Sequence, residues 1–195
     1  MHPADIAGPA PSAAITRRAA PEAETPRLRL RQFRSEDFAT YKAWCANPDL
    51  MRYLGGRTFD TLEAWRHMAY VLGHWQLRGF GYYAVEEKAS GRLVGRVGYT
   101  DSEGWPGFEL GWTLAPEARG QGYASEAARF LLDYAFEHLE RPHVMSLIHP
   151  DNAPSIRVAE RLGQTVEGET ELLTMPVLIY GIDRERWRTR QTTRL

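Results

Sequence analysis

The chain has 195 residues, 43% of them hydrophobic and 25% charged, which asks for one globular domain and excludes disorder throughout. The 24 Lys plus Arg against 25 Asp plus Glu leave a formal charge of −1, with no excess positive potential to hold nucleic acid or an anionic membrane. Cys45 is the one cysteine and cannot form an internal disulfide, and no stretch approaches the ~18–20 apolar residues of a membrane span, so a soluble protein of a reducing compartment, the cytoplasm by default, is expected.

Residues 1–23 hold eight Ala and four Pro, with only Ile6 and Ile15 as large aliphatics, and read as a disordered tail rather than a signal peptide. From Arg27 to Arg31, Leu28 and Leu30 alternate with arginines as in a half-buried strand. Ser35, Glu36 and Asp37 open a helix with Phe38, Tyr41, Trp44 and Cys45 at helical spacing, stopped by Asn47-Pro48, and a short turn through Leu50 and Tyr53 ends at Gly55-Gly56. Asp60 and Glu63 form a capping box for a helix whose Leu62, Trp65, Met68, Leu72 and Trp75 predict one buried face up to Gly79.

Strands follow at Phe80–Glu87, Leu93–Thr100 and Phe108–Leu114, an antiparallel meander. A long helix runs from about Gly122 to His138, then a strand at Val144–Ile148, a helix at Ala153–Leu162, and two strands near Thr165–Glu169 and Leu172–Tyr180. The Arg-rich end, with Arg184, Arg186, Arg188, Arg190 and Arg194, reads as a solvated terminal segment. The class is mixed α/β or α+β, with one domain over residues 24–190 and a flexible end over 191–195.

The informative segment is Leu114 to Ser125, between an apolar strand and a long amphipathic helix. Gly120 and Gly122 let the backbone turn so that several N–H groups face one point, and the helix they open adds its positive N-terminal dipole. Such a turn suits a pyrophosphate, although two glycines are equally an ordinary strand-to-helix turn. No Gly-Lys-Ser/Thr follows, and Ser125 stands where a dinucleotide fingerprint needs its third glycine.

Arg119-x-x-Gly122-x-Ala124 resembles the pyrophosphate signature of the GNAT superfamily of N-acetyltransferases. The Thr25–Arg31 segment, Met51–Gly56, Glu109-Leu110-Gly111-Trp112 and the Asn152–Gly163 segment are similar to its RimJ/RimL-like branch, and the likeness runs over residues 24–188 in order. The resemblance implies a mostly antiparallel, splayed central sheet flanked by helices, with acetyl-CoA as co-substrate and an amine as acceptor, either a protein N-terminus or a small molecule. It implies backbone contacts from Trp112, Thr113 and Leu114, a pyrophosphate on Arg119, Gly120, Gln121, Gly122, Tyr123, Ala124 and Ser125, and a contact from Asn152 to the pantetheine arm.

Gly111 inside an apolar strand fits either a bulge where a ligand approaches the backbone or relief of packing beside Trp112. Asn152-x-x-Ser155 is equally a helix-capping spacing. Many superfamily members carry a proton-donating tyrosine seven residues after that asparagine; Ala159 stands there, which makes Ser155 the substitute donor. Glu109 is the favoured general base for a protonated amine, against the alternative of a solvated strand carboxylate, ahead of Glu103, His149, Asp151 and Tyr180. His143 and His149 have no ligand partner at useful spacing, so no metal is expected. A homodimer is left open. A CoA-binding regulatory module without catalysis is the alternative, and an Arg-tailed nucleic-acid binder a third reading.

Overall fold

A computed structural model describes residues 20–192; most of the tail expected over residues 1–23, and residues 193–195, lie outside the described residues. Ala23–Glu24 forms a short strand, β1, and Ala20 is buried, so packing begins before the expected boundary at residue 24. Leu28–Arg31 (β2) leads through a 3₁₀ turn at Ser35–Asp37 into Phe38–Cys45 (α1), Pro48–Met51 (α2) and Thr61–Arg78 (α3). Tyr82–Glu87 (β3), Leu93–Thr100 (β4) and Glu109–Leu114 (β5) form the meander, followed by Tyr123–Glu137 (α4), His143–Ile148 (β6) and Ala153–Leu162 (α5). Thr165–Leu172 (β7), Met175–Asp183 (β8) and Arg184–Thr192 (α6) complete the described chain.

The strands make one sheet in the order β1-β2-β3-β4-β5-β6-β8-β7, antiparallel everywhere except between β5 and β6. This is the expected mixed, mostly antiparallel sheet flanked by helices. Alternation assigns Leu28, Leu30, Val97, Tyr99 and Leu110 to the main core, where the Tyr99 hydroxyl donates to the Leu131 carbonyl of α4. The opposite face carries Tyr82, Arg96, Thr100, Glu109 and Thr113, and α1 and α3 reach it through Tyr41 and His67.

Several local expectations needed correction. Arg31 is buried, not solvated: it forks onto Asp37 at 2.7 and 2.9 Å and donates to Glu86 at 2.9 Å, while Asp37 also accepts the Arg34 N–H. In α3 the Asp60–Glu63 capping box forms, but Ala64, Met68, Val71, His74 and Trp75 are the buried residues. Leu62 and Trp65 are each 53% exposed, because the buried stripe uses a small Ala and a His that a search for large apolar residues passes over.

The last hairpin turns at Leu173-Thr174, both with positive φ, rather than near residues 170–171. No Gly, Asn or Asp marks that turn. The Arg-rich end is a docked helix: Trp187 is buried, and its Nε1 donates to Asp133 at 2.6 Å, as does Gln191 at 2.9 Å.

Gly111 makes no bulge. It pairs in register with Gly98, and its missing side chain is filled by the Tyr82 phenol, whose oxygen lies 2.1 Å from where a Cβ would stand. Gly98 likewise leaves no room for a Cβ against the Gly81 carbonyl and the Tyr82 Cα. The two glycines therefore let the Tyr82 ring lie across the sheet as the floor of a cavity. We expect Gly111→Ala to cost about 1–3 kcal/mol in urea unfolding. In a Tyr82→Phe background, where the colliding oxygen is gone, the cost shrinks; two strictly additive substitutions would show that this contact does not set the residue choice.

Candidate active site

β5 and β6 share one ladder pair, Glu109 opposite Met145, with the Met145 N–H donating to the Phe108 carbonyl at 3.1 Å. Beyond it the strands separate, and side chains take over the bonding: Ser146 Oγ donates to the Leu110 carbonyl at 2.7 Å, and the Leu147 N–H to Glu109 Oε1 at 3.4 Å. From Gly111 to Leu114, β5 is paired with β4 alone among the described residues. Its other edge opens on a groove of about 550 Å³. An unpaired strand edge of this kind can take an extended, amide-bearing ligand as an added strand.

Trp112, Thr113 and Leu114 line one side of this groove, and Asn152 and Ser155 the other. Asn152 caps α5, its Oδ1 accepting the Ser155 N–H at 3.3 Å, so the capping role is real. The Ser155 hydroxyl is separate from that cap. It accepts the Trp112 indole N–H at 3.3 Å across the gap, which leaves its own proton free. Ala159 is fully buried beside Ile148 and Tyr180, where no tyrosine side chain would fit without repacking.

At the end of the groove, Gly120 and Gly122 have φ of +77° and +81°. A Cβ on Gly120 would meet open space and one on Gly122 only an ordinary contact, so it is the left-handed backbone, not crowding, that asks for glycine. The turn presents the N-terminus of α4 to the groove, with Arg119, Gly120, Gly122, Ala124 and Ser125 along its wall. Gln121 and Tyr123 do not line it with their side chains: Gln121 Nε2 donates to the Glu117 carbonyl, and the Tyr123 hydroxyl donates to Glu87 under the Arg27 guanidinium.

A clamp that the sequence reading missed holds this turn. Glu126, in the first turn of α4, accepts from Thr25 Oγ1 at 2.6 Å and from the Arg27 N–H at 2.9 Å and Nε at 2.7 Å, while Arg27 Nη1 binds the Gln121 carbonyl at 2.9 Å. The Thr25-x-Arg27 and Glu126 residue types were visible, but their meeting across 99 residues was not.

A second cavity, about 360 Å³, lies on the Tyr82 face of the sheet. It shares Leu50, Tyr53, Leu54 and Thr113 with the groove, so the two spaces adjoin. Glu109 points into it, is 8% exposed, and accepts from Trp105 Nε1 at 2.8 Å. Burial pushes its carboxyl up to about 7, against the opposing pull of the Trp105 and Leu147 N–H groups and Arg96. This strand carboxylate is therefore not a solvated one.

Tyr41 bridges Arg96 and His67 in the same cavity, 2.7 Å from His67 Nδ1, and burial with the Arg96 charge drives His67 down to about 3. Cys45 lines this cavity too, and burial pushes its thiol up. The weaker candidates lie elsewhere: Glu103 is exposed and paired with Arg78, Asp151 is exposed, His149 lies tilted against the Tyr53 ring, and Tyr180 lines neither space. Among the described residues no group of three or more His, Cys, Asp or Glu is placed to hold a metal ion, and no helix is long and apolar enough to cross a membrane.

The profile of the family described as acetyltransferase (GNAT) domain matches residues 27–165. A solved acetyltransferase from Agrobacterium tumefaciens is 32% identical, with a TM-score of 0.76 over 83% of this chain and 94% of that one. The Bacillus subtilis protein named uncharacterized N-acetyltransferase YnaD is 27% identical over 74% of this chain and 82% of its own length. A spermidine N-acetyltransferase from Vibrio cholerae, solved with CoA and spermine, shares the fold alone at 19% identity, with a TM-score of 0.70 over 84% of this chain and 99% of that one. With its strands parting after Glu109 and a glycine turn opening α4 at the end of the gap, the chain belongs to the GNAT acetyltransferases and is an N-acetyltransferase.

Proposed function

We propose that the chain transfers an acetyl group directly from acetyl-CoA, seated in the groove between β5 and β6, to a primary amine held in the Glu109 cavity, in the manner of the RimJ/RimL-like branch. The observation that carries this reading is the adjoining of the two spaces along Leu50, Tyr53, Leu54 and Thr113, with a buried carboxylate poised near neutral pH inside one of them. In this reading the pantetheine arm pairs with the free edge of Trp112–Leu114 and meets Asn152, and the pyrophosphate sits on the turn from Arg119 to Ser125. No metal takes part, and the cytoplasm is the proposed compartment.

Glu109 takes a proton from the acceptor ammonium, directly or through water, and frees the nitrogen lone pair. The nitrogen attacks the thioester carbonyl; the C–N bond forms, the C–S bond breaks, and the second amine proton leaves to solvent. The thiolate takes its proton from Ser155, whose hydroxyl is oriented by Trp112 and is restored from water. A covalent route through Cys45 is disfavoured, since its thiol is buried and pushed away from ionisation. A carboxylate held near 7 in the cavity beside the groove favours catalysis over a CoA-binding module without it.

Glu109→Gln tests the base in two ways. The wild-type kcat/KM is expected to rise with pH through about 7 as Glu109 ionises; in the variant that limb disappears and the neutral-pH rate falls by about a hundredfold, with partial recovery in alkali. An unchanged profile at saturating acetyl-CoA would remove Glu109 from the mechanism. Stability gives a second reading: the unfolded chain loses this proton near 4.5, while the native state keeps it up to about 7. Wild type therefore loses roughly 3 kcal/mol relative to the variant between those pH values and nothing further above them. A stability gap that does not change with pH would mean that the buried carboxyl is not perturbed.

Ser155→Ala is a clean test of the acid, because the α5 cap uses the Ser155 backbone N–H and survives the change. The expected result is a kcat about tenfold lower with the dissociation constant of acetyl-CoA unchanged. Wild-type turnover would leave Ser155 with its capping role alone.

A further inference from the structure

Arg96 rises from β4 into the Glu109 cavity without an ion-pair contact. Among the described residues it forms no ion pair, whereas Arg27, Arg29 and Arg31 each do. Its guanidinium stacks 4.8 Å from the centroid of the Tyr82 ring, and Nη1 donates to Tyr41 Oη at 3.4 Å. Neither partner carries charge: burial pushes both phenols up, and His67 behind Tyr41 is held near 3 and stays neutral. A guanidinium offers five N–H donors in a planar fork, and here a single long hydrogen bond is made. Leaving such a half-buried cation without an ion-pair partner is costly unless something else brings the negative charge. Glu109 lies in the same cavity and feels the Arg96 charge, but it makes no ion-pair contact with it and is already engaged by Trp105 and Leu147.

We propose that Arg96 recognises an acid group on the acceptor, so that the substrate is a small amine that also carries a carboxylate-like oxyanion, its acid paired with Arg96 and its amine turned toward Glu109 and the groove. This rests on the reading of the cavity as the acceptor site. The remaining wall supplies the rest of the description: Trp44, Leu54, Phe59, Met175 and Val177 are apolar, and about 360 Å³ holds an amino acid with an apolar side chain. A polyamine is the wrong partner for this space, since its charges repel Arg96 and find a single half-ionised carboxylate.

The test compares free amino acids with their carboxamides and decarboxylated amines, with spermidine and a neutral tripeptide alongside, in thiol release from acetyl-CoA. The expected result is that, for apolar amino acids, kcat/KM of the acid exceeds that of the amide by about tenfold or more. Arg96→Gln collapses that ratio toward one without changing the dissociation constant of CoA. Amides or amines used as well as the acids, a preference that survives Arg96→Gln, or spermidine or the tripeptide as the best acceptor would each overturn the proposal.

The wild-type ratio decides if Arg96→Gln does not fold. If no amine releases thiol, the proposed transfer fails, and calorimetry on the CoA-loaded protein still reads the acid site. Binding of acids over amides then supports Arg96 recognition, and equal or absent binding refutes it.

Discussion

The structure turns on the loss of one strand pairing. A parallel ladder between β5 and β6 would close the sheet and bury both edges, yet it is abandoned after Glu109 and Met145. Unpaired backbone groups at that depth are costly, and the chain offsets the cost with side chains instead of strand partners. Ser146 satisfies the Leu110 carbonyl and Glu109 satisfies the Leu147 N–H, so the parting is stabilised at its root before any ligand arrives. The carboxylate proposed as base is thus also the group that holds the gap open. Its position is fixed by the same two N–H donors that oppose its burial.

The far end of the gap needs a different solution, because the pyrophosphate proposed there would meet a helix whose first turn contains a carboxylate. Glu126 would repel a pyrophosphate if it were free. Arg27 neutralises it, and Thr25 occupies one of the same oxygens, so the carboxylate is turned toward the N-terminal strand and spent. Arg27 also takes the Gln121 carbonyl, which fixes the peptide between the two left-handed glycines. The segment preceding β2 therefore supports the glycine turn although it is about a hundred residues away in sequence.

Alternation and helical spacing made the meander, the α4 and α5 helices and the glycine turn legible, because each is decided by residues within one turn or one strand. The Asp60–Glu63 box was legible for the same reason. What escaped were features decided by distant partners. Arg31 looked solvated because Asp37 and Glu86 are not its sequence neighbours on the strand, and the end of the chain looked solvated because Trp187 and Gln191 meet Asp133 only once α4 is packed. Gly111 was legible as special but not for its reason, since the Tyr82 phenol that fills it comes from two strands away in the sheet. The site shows the same division: the glycine turn lies in one run of sequence, while the groove and the cavity are each assembled from segments far apart in the chain.

That division has a physical consequence for specificity. The proposed cofactor groove and acceptor cavity meet at the turn after α2, where Tyr53 donates to the Asp151 carbonyl at 3.3 Å and lies tilted against the His149 ring, bracing one side of the gap against the other. The turn then ends in Gly55 and Gly56 with φ of +93° and +70°, against Leu173 and Met175 of the last hairpin. Leu173 is a non-glycine residue held at positive φ and is 64% exposed, a conformation and a placement that both cost energy in isolation. Both costs fall at the rim of the proposed acceptor cavity, which Leu173 lines together with Leu172 and Met175. The floor of that cavity is set by the sheet, through Tyr82, Arg96 and Glu109, while its rim is carried by a helical turn and a hairpin tip. Substitutions at the rim can reshape what enters without disturbing the strand edge and glycine turn assigned to the cofactor.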